Sequence, residues 1–258
     1  MKAAASLRVE LDAHRRRTVI GDLRSASPIR LVPRRGKVAA PGGALTVCLV
    51  ESAAAPIGGD RLDLHVRVGA GAWLRLVGTG ATLALPGHDG DHSRVRVHLR
   101  VDPAGTVEYL PEATVIGARA DHRAETRLDL AAGARARCRE LLVLGRHGEL
   151  PGRGSSTTHV LRDGAPLLRQ RLEVGRPRLA ASAGHLAGAR VLGSEILVWD
   201  RDPAAPSSGD WWSLTPLAHG GSVATSMAGD TATARRRLAE AVGHHPAHRD
   251  RSDRPGHG

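Results

Sequence analysis

Three times along this chain a strand-like run of alternating apolar and polar residues ends in a short glycine-containing turn and is followed by a second, more apolar run. The first instance is Leu62-Asp63-Leu64-His65-Val66-Arg67-Val68, then Gly69-Ala70-Gly71-Ala72, then Trp73-Leu74-Arg75-Leu76-Val77. Arg94 to Val101 leads through Asp102-Pro103-Ala104-Gly105 to Thr106-Val107-Glu108-Tyr109-Leu110. Arg127 to Leu130 leads through Ala131-Ala132-Gly133-Ala134 to Cys138-Arg139-Glu140-Leu141-Leu142-Val143-Leu144. A period of two puts one face of each strand on a core and the other in water. The spacing of the turns is uneven, so the pattern predicts a stack of β-hairpins rather than a strictly regular solenoid. Asp163-Gly164 between apolar runs is a further hairpin signal, and Ser27-Pro28-Ile29-Arg30-Leu31 reads as an edge segment. Near the C-terminus, Asp230 can cap a helix whose apolar stripe is Ala234, Leu238, Ala241 and Val242, with Gly243 as its stop. These features predict one β-rich domain over 1–242, mostly all-β, and a disordered His- and Arg-rich tail over 243–258.

Composition narrows the function classes. The 258 residues carry a net charge of +11, and Lys2 and Lys37 are the only lysines, so the positive charge is almost entirely guanidinium. The arginines are spread over the polar positions of alternating strands instead of forming one block. Four tryptophans and Tyr109 are the only aromatics, which argues against a sheet that stacks bases; no nucleic-acid partner is expected. Two cysteines provide neither a disulfide framework nor a thiolate zinc site, and Cys48 reads as a buried strand residue. The N-terminus lacks the apolar stretch of a secretory signal and no segment has the length of a membrane span, so the expected setting is the cytoplasm, away from membranes.

No catalytic constellation emerges. There is no G-x-S-x-G elbow, no phosphate-binding glycine loop with its lysine, and no H-E-x-x-H. His88-Asp89-Gly90-Asp91-His92 gathers two imidazoles and two carboxylates, donors suited to a borderline divalent ion, although a solvated loop reads the same way. A metal-dependent hydrolase built on His88 and His92 would be the enzymatic reading. The histidines of the tail are metal-compatible in the same compositional sense. Gly58-Gly59-Asp60-Arg61 reads locally as a turn in which glycine allows a close backbone approach and the aspartate bonds its own turn.

Several of these segments together resemble the UreD (UreH) family of urease accessory proteins, as a diverged member. Gly58-Gly59-Asp60-Arg61-Leu62 running into the alternating strand and Gly69-Ala70-Gly71-Ala72 is similar to that family's opening pattern. Glu108-Tyr109-Leu110-Pro111-Glu112 looks like its "EYLP(D/E)" segment, and Gly145-Arg146-His147-Gly148-Glu149 its "GR–x–GE" turn. Thr79, Leu83 and Leu85 stand where the family usually has Gln, Lys and Tyr. The resemblance spans roughly 7–242. It implies a solenoid-like winding of strands in two sheet layers with a short C-terminal helix. It also implies a non-enzymatic scaffold that works with the urease subunits, a second accessory protein and a nickel-carrying GTPase. Nickel would be in transit, with no tightly bound cofactor, along an internal passage. On that reading Gly58, Gly59, Asp60, Arg61, Tyr109 and Glu112 are the expected shape or partner residues. The carboxylates of Asp60, Glu108, Asp121, Glu140 and Glu149 are the candidates for a transient cation relay, since a relay must also release its ion. The alternative reading, from charge alone, is a basic β-rich module for anionic ligands that uses the arginines of 94–100 and 135–139.

Overall fold

The computed structural model describes residues 1–14, 16–34, 43–88, 90–176 and 180–247. The chain winds into two facing sheets. The smaller contains β1 (Lys2–Asp12), β2 (Arg17–Arg24), β5 (Arg61–Val68), β8 (Ser93–Val101), β11 (Asp121–Leu130), β13 (Arg153–Arg162) and β14 (Ala165–Val174), in the order β14-β13-β11-β8-β5-β1-β2. The larger is ordered β16-β17-β18-β15-β12-β9-β6-β4-β3. Its members are β3 (Ile29–Pro33), β4 (Leu45–Glu51), β6 (Trp73–Gly78), β9 (Thr106–Leu110), β12 (Arg135–Leu144), β15 (Val191–Val198), β16 (Ser207–Gly209), β17 (Trp212–Pro216) and β18 (Ser222–Ala228). The short strands β7 (Thr82–Ala84) and β10 (Thr114–Ile116) pair with each other, and β10 pairs with β12.

The all-β, two-layered class is as expected, but the glycine turns do not close hairpins. Each one carries the chain from the smaller sheet to the larger. β5, β8 and β11 pair with one another in parallel, as do β6, β9 and β12. Each arc is closed by its own backbone bond: Ala72 N to Gly69 O, Gly105 N to Asp102 O and Ala134 N to Ala131 O. Neighbouring arcs are joined by Gly71 N to Pro103 O and Ala104 N to Ala132 O. The third residue of every arc is left-handed: Gly71 at φ 65°, Ala104 at φ 56° and Gly133 at φ 66°. The coils therefore stack as in a solenoid, each bonded mainly to its neighbours.

Other expectations hold, except that Gly243 lies within the C-terminal helix and His244, at φ −79°, caps it. Asp163 and Gly164, both at positive φ, turn the chain between the antiparallel strands β13 and β14, the signature of a type I′ hairpin. β3 lies at the edge of its sheet. The helix α1 (Thr231–Gly243) begins at Asp230, whose Oδ1 accepts from Thr233 N at 2.9 Å, and it buries Ala234, Leu238, Ala241 and Val242. Leu238, Ala241 and Val242 pack with Leu141, Leu197, Trp212, Leu214 and Ala224 on the outer face of the larger sheet, and Ala234 packs with Val191 and Ala228. Two readings are corrected. Cys48 is half-buried in β4, because Val47 and Leu49 take the inward positions of that strand. His244 and His245, assigned to the tail, pack on the domain: the His244 ring lies 4.9 Å from that of Trp212, and His245 is buried. The rest of the tail, residues 248–258, falls outside the described residues.

Candidate functional site

The space between the sheets has two halves. Beneath the arcs, the registers align Leu7, Val66, Leu99, Leu128 and Val160 across five strands, and Val9, Val68, Val101 and Leu130 beside them, all of them buried. Leu74, Leu76, Val107 and Ala136 close this core from the larger sheet. Toward the opposite end the inward positions of β11 and β13 become polar, and β8 ends on Ser93, while β5 keeps Leu62 and Leu64 inward and β8 keeps Val95 and Val97. Ser93 pairs in register with His122, Ala124 with Ser156, and Thr126 with Thr158.

A cavity of about 150 Å³ opens at this end; its wall is mostly apolar, with Leu49, Leu62, Leu64, Val95 and Val97, and is interrupted by Glu51, Tyr109, Glu112, His122, Thr126 and Glu140. A second cavity of about 180 Å³ is lined by Ser156, Thr158, Gln170, Ser194 and Thr225, and it shares Glu140 with the first. Each has room for several waters with polar partners. Glu140 is thus the residue common to both spaces. Its Oε1 accepts from Ser156 Oγ at 2.6 Å; burial raises its pKa, against the lowering effect of that bond. Glu51 is raised by burial in the same way, opposed by a hydrogen bond from Thr82 Oγ1. Burial pushes His122 down to about 4, only partly offset by Asp121, so it is neutral at pH 7 while Nδ1 lies 2.9 Å from Ser93 Oγ. Burial pushes the Cys138 thiol up to about 12, with Glu140 and Glu195 adding to the effect. Such a thiol is neither a nucleophile nor a ready metal ligand at neutral pH.

The residues singled out from the sequence are not brought together. Tyr109, Glu112 and Glu140 line the cavity. Glu112 also accepts from the Arg235 guanidinium, which ties the end of the β9 segment to α1. Asp60 is buried in a knot that joins three chain segments: Oδ1 accepts from the Met1 amino group at 2.6 Å, Oδ2 from Ile57 N at 2.9 Å, and its carbonyl from Arg94 N at 2.8 Å. Gly58 has the backbone of Gly87 where a side chain would stand, and Gly59 is at φ 89°, so both glycines are required by the crossing. The Arg61 side chain is exposed. Glu108 is buried on the outer side of the larger sheet, accepting from Trp73 Nε1 at 3.1 Å with Arg75 at 3.9 Å. Asp121 pairs with Arg123 and Arg153. Glu149 sits in a surface turn where hydrogen bonds from Arg146 hold it at about 2. His88 is exposed and His92 half-buried; Asp89 of that loop lies outside the described residues. Among the described residues no three His, Cys, Asp or Glu side chains converge as metal ligands, and no helix is long and apolar enough to cross a membrane.

Sequence reading overlooked Glu51, His122, Ser156 and Glu195. Glu195 is fully buried and accepts from both Arg137 and Arg139, the latter at 2.8 Å. A pair of this kind locks β12 to β15, and breaking one side would strand a buried charge.

Nearly the whole chain, residues 3–254, fits the family model described as UreD urease accessory protein. The chain belongs to the UreD family of urease accessory proteins. It is 63% identical over 246 residues to urease accessory protein UreD 1 of Saccharopolyspora erythraea, covering 95% of this chain and 96% of that one. It is 37% identical over 268 residues to the UreD of a Parafrankia strain, covering 94% and 88%. With the UreD of Streptomyces coelicolor the identity is 35% over 227 residues, covering 86% and 88%. These figures carry the UreD assignment through the arcs, the knot at Asp60 and the C-terminal helix alike.

Proposed function

We propose that this UreD-family chain is a non-enzymatic scaffold of urease maturation that passes nickel toward the urease apoprotein. On this reading it works in the cytoplasm with the urease subunits, a second accessory protein and a nickel-carrying GTPase. The observation that carries the proposal is the pair of cavities between the sheets with Glu140 in the wall of both. A β scaffold satisfies its backbone groups by pairing, which leaves inward side chains free to set the polarity of the space. Carboxylates on the two sides, Glu51 and Glu140, and neutral hydroxyls between them offer hard oxygen donors that hold a divalent cation briefly. A cluster of imidazoles and thiolates would retain it. The cation is cargo here, and the protein's part is the lining, its charge and its spacing.

Co-expression with the urease subunits and the other accessory proteins tests this, with pull-down and the nickel content of recovered urease as readouts. Omitting the chain should leave urease short of nickel. Glu140→Gln should keep the association but lower the nickel content. Retained nickel with the variant would remove Glu140 from the route; retained nickel without the chain would overturn the function.

A further inference from the structure

The outer face of the smaller sheet carries a row of positive charge that the fold leaves unneutralised. β1, β5, β8 and β11 are consecutive parallel neighbours, and their registers set Lys2 beside Arg61, Arg61 beside Arg94 and Arg94 beside Arg123. Neighbouring strands lie about 4.8 Å apart, so the row is roughly 14 Å long. Like charges directly opposite one another destabilise a sheet. Arg123 has Asp121 at 3.7 Å, but Lys2, Arg61 and Arg94 make no ion pair among the described residues. A hollow of about 360 Å³ lies along them, lined also by Asp63 and Arg96.

The same sheet contains a comparable row that is neutralised. Arg8, Arg67 and Arg100 fall in register nearer the arcs. There Asp102 stands 3.0 Å from Arg67 and 3.8 Å from Arg100, and Glu10 is 3.3 Å from Arg8. Between the two rows, Asp63, Arg96 and Glu125 alternate in sign. The bare row is therefore a narrow cationic stripe at the end of the strands away from the arcs, with Asp63 and Glu125 along one side and Asp121 at its β11 end.

We infer that this stripe is a docking surface for the acidic face of a helix in a partner protein. A helix laid across the strands repeats every 5.4 Å, so Asp or Glu at i, i+3 or i+4, and i+7 meets successive strands about 4.8 Å apart. The long arginine side chains absorb the difference. A phosphate backbone wide enough to cover the face would run over Asp63 and Glu125; a single helix with acidic residues on one side and basic residues beside them matches both rows. The inference does not depend on the nickel route, because it requires only that the chain binds a protein.

Fluorescence anisotropy on the full chain tests it at low and high salt. The probes are an alanine-based helical peptide with Glu at every third or fourth residue along one face, its Gln counterpart, and a duplex oligonucleotide. The Glu peptide should bind and weaken with salt, and the Gln peptide should not bind. Arg61→Glu with Arg94→Glu should weaken binding by about tenfold or more, since two charge-assisted contacts are reversed. Arg67→Glu with Arg100→Glu should change it less than about twofold, those arginines being already paired. If the double reversal does not fold, Arg61→Gln and Arg94→Gln singly should each weaken binding by about threefold. Equal binding of the Glu and Gln peptides overturns the inference. So does equal loss from both double variants, which would mean diffuse charge, and so does tighter, Arg61-dependent binding of the oligonucleotide.

Discussion

The two halves of the inter-sheet space are built from the same strands and behave as different materials. Near the arcs, every inward position of β5, β8 and β11 is Leu or Val, and the opposing sheet answers with Leu74, Leu76 and Val107. Toward the other end of the stack, Ser93 of β8, His122 and Thr126 of β11, Ser156 of β13 and Glu140 of β12 take inward positions and cavities replace close packing. Stability is concentrated in the first half; the second half gives up apolar burial for a lined space. Close packing and lined space thus sit at opposite ends of one stack of strands.

The largest test of that division is truncation on each side of it. Leu99→Ala, at a fully buried position of the dry half, should cost about 2–5 kcal/mol, measured by denaturant unfolding. Thr126→Ala in the polar half should cost less than about 1 kcal/mol, because that half-buried side chain faces a cavity instead of close packing. Similar losses would erase the distinction.

His122 gives the next effect. Its folded pKa is depressed from 6.5 to about 4, so its contribution to stability is present above pH 6.5 and is lost as pH falls toward 4. The loss should total about 3 kcal/mol, and His122→Asn should flatten that part of the pH–stability curve.

Glu140 has the opposite sign. Its folded pKa is raised by burial, so its favourable contribution belongs to low pH and is lost as pH rises through the folded value. Glu140→Gln should therefore raise the melting temperature at pH 7 and change it little near pH 4. A carboxylate kept at a cost to stability is the pattern expected of a working group. No pH-dependent gain would make Glu140 an ordinary wall residue. The smallest effect is at the boundary with the helix, where Arg235→Ala should cost about 0.2–1 kcal/mol because its pair with Glu112 is half-exposed.

Much of this division was written in the alternation itself. The strands at 62–68 and 94–101, the Asp163-Gly164 hairpin and the four-residue stripe of α1 are all legible, because each rests on a local periodicity or a backbone requirement. Strand partnership is not local. A glycine turn between two apolar runs reads alike whether the second run pairs with the first or crosses to face it from another sheet, so the arcs of 69–72, 102–105 and 131–134 looked like hairpins. For the carboxylates, parity was the neglected signal. Glu140 shares its phase with Ala136, Cys138 and Leu142, and Glu51 shares its phase with Val47 and Leu49, so both point inward. Glu108 is out of phase with Val107 and Tyr109 and points away. Asp60 stands outside any alternation, and only the three segments that meet at its carboxylate and carbonyl reveal its role as a fastener.

A parallel stack of coils has no intrinsic reason to stop: each coil presents the next one with the same row of unpaired amides and carbonyls. Here the main parallel run of each sheet is closed at both ends by a strand of reversed direction. β2 and β14 flank the run in the smaller sheet, and β3 and β15 flank that in the larger. Reversal changes the spacing of the bonding groups, so an incoming copy that carries a coil finds no matching template at either end. The four reversed strands act as terminators, and they are what makes a fold with the logic of a fibre into a molecule of fixed length.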